Sequence, residues 1–193
     1  MKNVLLLLAD GFEIYEASVF IDVMGWNLVD GDGTTKTTTC GLRKEVNSTF
    51  GAKLIADITA DHLNVDDYDA LAIPGGFVEY NFYDEAYSEP FLEIIRQFNA
   101  KGKFISSICT GALPVGKSGV LCDRRGTTYN RREGIRQKTL SEYQVNVVNE
   151  PIVEDRNIVT SWNPSTAMDV AFNLLEKLTN KENTDNIKHL MGF

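Results

Sequence analysis

Three apolar runs lack polar alternation: residues 4–8, 71–73 and 103–108. Such runs suit strands covered on both faces, and each is closed by small or turn-forming residues. Helical spacing separates them. Over residues 14–29 it places Ile14, Ala17, Ile21, Met24 and Leu28 on one side. Further helices are predicted over 90–100, ending near Gly102, and from the end of the third run to about Lys117. A clear amphipathic stretch spans 165–178, with Ala167, Val170, Ala171, Leu174, Leu175 and Leu178 inward and Asn163-Pro164 as its start signal. β-Branched or apolar segments at 34–40, 52–55, 144–148 and 157–160 read as strands. The stretch after Lys117 reads as irregular, and the last residues as a short appended helix.

Alternating strands and helices imply an α/β fold with a mostly parallel sheet and helices on both faces. No linker or repeat divides the chain, so residues 1–193 read as one domain. In such folds ligands bind outside the carboxyl ends of the strands. Three loops should converge there: 10–16, 74–77 and 109–111.

A chain of 193 residues buries a sufficient core without disulfides or a structural metal. The net charge of -8 argues against nucleic acid as a partner, because no basic surplus neutralises phosphates. The one basic cluster, Arg124-Arg125 with Arg131-Arg132 and Arg136, can hold an anionic group or stand as a solvated face. Cys40, Cys109 and Cys122 form no disulfide framework and suit a reducing compartment. The apolar run at 4–8 is too short for a signal peptide or membrane span, so the expected location is cytoplasmic, with no membrane partner. No C-x-x-C, H-E-x-x-H or calcium-loop pattern is present, so neither a metal nor a cofactor is expected.

Cys109 closes the third run, with Ser107 two residues before it and Gly111 two after. That is the form of a nucleophile elbow, where a tight strand-to-helix turn excludes large neighbours. A helix following the cysteine would aim N–H groups at the sulfur and favour thiolate. The plainer alternative is a small buried hydrophobe. The first loop supplies Asp10, Glu13 and Glu16, the last two sharing a helix face. A protonated carboxyl can donate a hydrogen bond to a thiolate, and a carboxylate can act as a base. Glu13 reads as an acid suited to a helix N-terminus, whereas for Glu16 the readings stay open. Gly75 and Gly76 offer bare N–H groups for an oxyanion pocket with Thr110, or form an ordinary tight turn. His62 and His189 both fall away from this end of the sheet, which argues against a Cys–His protease. Residues 111–118 match G-x-x-x-x-G-K-[ST], yet the apolar interior and Pro114 suit a packed helix rather than a phosphate cradle.

Four segments together, Leu8-Ala9-Asp10-Gly11-Phe12-Glu13 with Glu16, Ala72-Ile73-Pro74-Gly75-Gly76, Ser107-Ile108-Cys109-Thr110-Gly111 and Asn157-Ile158-Val159-Thr160-Ser161-Trp162, resemble the ThiJ/PfpI family. This is the superfamily of the Parkinson's-linked deglycase and of class I glutamine amidotransferase-like domains. The resemblance implies a flavodoxin-like three-layer α/β sandwich with a mostly parallel central sheet, and a homodimer. It implies Cys109 as the reactive thiol, Glu16 as the carboxyl bonded to it, and Gly75, Gly76 and Thr110 lining an oxyanion pocket. Many members carry a histidine after a Thr-Thr pair; here Thr127-Thr128 is followed by Tyr129, a hydrogen-bond donor or simply wall. Phe77, Tyr80 and Phe82 are further expected wall residues. The implied function is a cysteine-dependent enzyme acting on a small reactive carbonyl or amide-like substrate, glyoxalase-, deglycase- or amidase-like. The alternative is a redox sensor that uses oxidation of Cys109.

Overall fold

The computed structural model describes residues 1–193. Its strands are β1 (Lys2–Leu8), β2 (Thr35–Gly41), β3 (Glu45–Asn47), β4 (Lys53–Ile55), β5 (Ile58–Thr59), β6 (Ala70–Ile73), β7 (Phe104–Ser107), β8 (Arg125–Gly126), β9 (Asn146–Val147), β10 (Ile152–Asp155) and β11 (Ile158–Ser161). The helices are α1 (Ile14–Asp30), α2 (Phe82–Ala86), α3 (Glu89–Ala100), α4 (Ala112–Lys117), α5 (Ile135–Glu142), α6 (Ala167–Leu178) and α7 (Lys181–Met191). Seven strands form one sheet in the order β10-β11-β7-β6-β1-β2-β5. All pairs are parallel except β10 with β11. This is the expected α/β sandwich.

The interior position of β1 follows from its composition. Val4 to Leu8 are fully buried, so the strand needs a paired neighbour on each edge and a helix layer on each face. On one side α1 packs against α6 and α7; elsewhere α3 packs on α4, and α4 on α5. No helix is long and apolar enough to cross a membrane.

Three expectations need correction. The buried side of α1 carries Glu16, Ala17, Val19, Phe20, Val23, Met24 and Asn27, while Ile14, Ile21 and Leu28 are exposed. Apolar residues stand on both sides of this helix, so periodicity alone does not choose between them. Asn27 does: it donates to Thr35 Oγ1 at 2.9 Å and accepts from Asn183 at 2.6 Å, which pins its side inward. The segment predicted at 144–148 contributes only β9, which pairs with β8 outside the main sheet. The stretch read as irregular contains α5, whose one buried residue is Leu140. A lone inward side chain leaves almost no periodic trace.

Arg124 is 8% exposed and joins β10 to the core. Its guanidinium donates to Asp155 Oδ1 at 3.1 Å and Asn157 Oδ1 at 3.3 Å, and the Arg125 N–H donates to Asp155 Oδ2 at 2.9 Å. The Arg125 N–H and the Arg124 guanidinium hold the Asp155 carboxyl below its usual range. Asp155 is partly exposed and Arg124 keeps its bonds to Asn99 and Asn157, so Asp155→Ala should cost about 1.5–3 kcal/mol in urea unfolding, the scale of a charged hydrogen bond. Because the carboxyl is held low, its contribution is complete above about pH 4 and is lost as pH falls through the lower folded value. The difference between wild type and Asp155→Ala should therefore shrink in acid.

Candidate active site

The three loops do converge, and backbone bonds lace them together. The Glu13 N–H donates to the Gly75 carbonyl at 2.8 Å, Phe77 N–H to Gly11 at 3.1 Å, and Ile108 N–H to Ile73 at 3.1 Å. Cys109 follows β7 in a one-turn 3-10 segment with φ of 53°, the left-handed region. That conformation costs on the order of 1–3 kcal/mol for a residue with a side chain and persists only when its surroundings enforce it. The Thr128 hydroxyl helps enforce it by donating to the Cys109 carbonyl at 2.8 Å.

Glu16, in the first turn of α1, is fully buried. Its Oε2 accepts from the Gly75 N–H at 2.6 Å. Its Oε1 has no partner of hydrogen-bonding geometry, and the neighbouring titratable groups that act on the carboxyl are Glu13 and Cys109. Burial, and then the neighbouring Glu13, push Glu16 well above the usual carboxylate range; the Gly75 N–H only partly offsets them. The Cys109 thiol is also pushed up, first by burial and then by negative charge on Glu16. The Thr110 N–H is the one group that favours the thiolate, so the expected pull of a following helix reduces to a single donor. The helix itself, α4, begins only at Ala112.

Acid and thiol therefore titrate as a pair. Charge on either opposes charge on the other, so the second proton leaves less readily than the first. While Glu16 keeps its proton, its repulsion of the sulfur is replaced by an available O–H donor.

The expected oxyanion donors are differently employed. The Gly75 N–H is given to Glu16, and the Gly76 N–H is given to Thr110 Oγ1 at 2.9 Å. Thr110 returns its own hydroxyl to the Gly76 carbonyl at 2.9 Å. Both glycine donors thus hold the acid and the turn in place, and only the Thr110 N–H remains, beside the sulfur. Gly75 is required by close approach. A Cβ there would lie 2.6 Å from Thr110 Oγ1, 2.8 Å from Thr110 N and 2.9 Å from Glu16 Oε2.

Cys109 opens on a cavity of about 340 Å³ whose wall includes Glu13, Gly76, Phe77, Thr110 and Tyr129. Tyr129 is half-buried there. Tyr80 and Phe82 are not wall residues: Tyr80 packs edge-on against Phe50, and Phe82 lies in the core. Asp10 stands apart, bonded to Asn47 and Arg43. His62 and His189 are exposed and outside the cavity. The glycine–lysine pattern at 111–118 is the turn after Cys109 and the buried helix α4, with Pro114 inside it. Cys40 is buried and its thiol is pushed up to about 12 by burial and Asp61, which leaves it inert.

Residues 2–177 match the DJ-1/PfpI family. The chain belongs to that family. Among DJ-1/PfpI proteins, dj-1beta of Drosophila melanogaster is 26% identical over 188 residues, covering 96% of this chain and 94% of its own length. The deglycase PfpI of Pyrococcus furiosus is 32% identical over 119 residues, 62% of this chain and 68% of that protein. The crystal structure of Drosophila DJ-1beta superposes with a TM-score of 0.85 at 24% identity, covering 98% of this chain and 97% of that one. A ThiJ/PfpI family protein from Pseudomonas syringae gives 0.86 at 18% identity over all of this chain and 75% of its own.

Two features escaped sequence reasoning. Thr128 drew attention only as the neighbour of a missing histidine, although its hydroxyl holds the elbow. Arg131, Arg132 and Arg136 line the cavity, the first two from exposed positions and Arg136 half-buried; the clustering was visible, its location was not. Gly75→Ala should displace Glu16 and Thr110 while leaving the sheet intact. The expected result is a loss of about tenfold to a hundredfold in the rate of Cys109 alkylation by iodoacetamide, with unchanged far-ultraviolet circular dichroism.

Proposed function

We propose that this DJ-1/PfpI protein is a cysteine-dependent enzyme acting on small reactive carbonyl compounds, with Cys109 as nucleophile and Glu16 as proton carrier. The observation that carries this reading is the Glu16 carboxyl: fully buried, without a cation, with Oε1 unpartnered, and a neighbour of Cys109, which itself lines a cavity. A purely structural acid would be expected to have both oxygens satisfied. The deglycase-named relatives support the same class of chemistry.

In the proposed step the Cys109 thiolate attacks the carbonyl carbon. The C–S bond forms, the π electrons of C=O move to oxygen, and the resulting alkoxide takes the Glu16 proton to give a neutral hemithioacetal. The leaving proton makes Glu16 a carboxylate, able to accept the next proton that the adduct releases. Glu16 thereby neutralises the oxyanion directly, a task the engaged Gly75 and Gly76 N–H groups do not take. Tyr129 and Thr110 serve as contacts for the bound substrate. The expected homodimer and reducing, cytoplasmic setting belong to the same reading.

With a 1,2-dicarbonyl such as glyoxal as substrate, Cys109→Ser should abolish turnover. Glu16→Gln should lower kcat by about 10²–10⁴-fold, the usual contribution of a positioned acid–base group. Activity should rise with pH as the pair loses its first proton and fall as it loses the second. Glu16→Gln removes the negative charge that helps push the Cys109 thiol up, so it should also move the alkylation midpoint of Cys109 downward. Stoichiometric conversion of Cys109 to sulfinate by peroxide, without turnover on any carbonyl or amide, would instead favour the sensor.

A further inference from the structure

The wall of the Cys109 cavity carries an unexpected charge. In a chain of net charge -8, Arg131, Arg132 and Arg136 all line this one space. Their engagement differs. Arg132 lies 3.7 Å from Glu79, an acid on the same wall. Arg131 and Arg136 form no ion pair. Arg136 is half-buried, with its guanidinium carbon 5.0 Å from the centre of the Tyr83 ring. That cation–π contact fixes the group in place without neutralising it.

The backbone is bent to achieve this. Arg132, Glu133 and Gly134 are consecutive left-handed residues, with φ of 52°, 61° and 68°. The two non-glycine members carry strain, on the order of 1–3 kcal/mol each, of the kind found where function needs a side chain re-aimed. Arg131 just before the turn, Arg132 within it, and Ile135 and Arg136 just after it all line the same cavity. The helix that starts there, α5, has no side-chain cap and no acid in its first turn. Of the remaining acidic wall groups, Glu79 is engaged by Arg132, and burial pushes the Glu13 carboxyl up toward its neutral form.

We propose that the cavity selects small carbonyl compounds bearing a carboxylate, which Arg131 and Arg136 hold while the carbonyl meets Cys109. This deepens the assignment of Cys109 as the reacting thiol and rests on it. Guanidinium groups match a carboxylate fork, and a cavity of about 340 Å³ sits near the lower end of the ~300–1,000 Å³ range of ligand pockets. Because Cys109 lines the same cavity, a carboxylate held by these arginines keeps the carbonyl of a small molecule within the space the thiol shares.

Two alkylating reagents of nearly equal size isolate the charge: iodoacetate and iodoacetamide. In both reactions the thiolate forms a C–S bond to the methylene carbon and iodide departs with the bonding pair, so the ratio of their rates cancels the thiolate fraction. For Cys109 the iodoacetate-to-iodoacetamide ratio should exceed that of N-acetylcysteine by about tenfold or more, the scale of a charge-assisted hydrogen-bonded pair. Arg131→Gln and Arg136→Gln should each bring it toward the free-thiol value, with Arg136→Lys intermediate. Lys36→Gln, which removes a positive charge from the far strand β2, should leave the ratio unchanged. Acetate should slow iodoacetate labelling at lower concentration than inorganic phosphate does.

A wild-type ratio equal to that of free thiol, ratios unaffected by the arginine substitutions, or protection by phosphate alone would overturn the proposal. Labelling by iodoacetamide without charge preference sinks this proposal only. A thiol inert to both reagents sinks the assignment of Cys109 as well.

Discussion

A carboxyl group enclosed without a cation is the constraint on which the rest of this site depends. Glu16 is placed on the inward face of α1 among Ala17, Val19, Phe20 and Val23, where a charge is costly and a proton is retained. Its single firm partner is a backbone N–H, that of Gly75. That bond requires the second loop to approach so closely that a methyl group in place of hydrogen would strike Thr110 and the acid itself. Thr110 in turn spans both polar groups of Gly76 and adjoins Cys109. One buried carboxyl, with the Thr110 hydroxyl beside it, thus ties together the ends of three strands.

What the sequence disclosed, and what it withheld, divides along physical lines. Tight backbone approaches demand small residues, and small residues are visible, so Ser107, Gly111, Gly75 and Gly76 marked the loops correctly. Unbroken apolar runs likewise announced β1, β6 and β7. The direction of individual hydrogen bonds left no such trace. Bare glycine N–H groups suggested an oxyanion pocket, but which acceptor each donor meets depends on distances of a few tenths of an ångström between segments far apart in the chain. The face of α1 was misjudged for a related reason: apolar side chains occupy both sides, and the deciding contact is a single polar residue, Asn27, reaching Thr35 and Asn183. Edge elements such as β5 and the polar helix α5 are too short or too little buried for periodicity to register.

Electrostatics at the cavity reverses the character of the whole molecule. The acidic surplus is spread over the surface, and several acids are consumed in local pairs, as Asp10 and Glu85 are by Arg43. The cavity beside the thiol instead carries three arginines on its wall, and burial pushes the Glu13 and Glu16 carboxyls upward.

The left-handed turn at Arg132 to Gly134 lies on a stretch of chain outside the seven-stranded sheet, whereas the thiol and its acid are held by turns at the sheet's carboxyl end. On the reading proposed above, reactivity and selectivity are written on separate pieces of polypeptide, and the Thr128 hydroxyl, a few residues before the turn, bonds the Cys109 carbonyl. An exchange of the rim segment could redirect the protein to a differently charged class of molecule while the reacting pair beneath it stayed intact. Chemistry inherited with the scaffold could in this way be retargeted by drift in one short peptide.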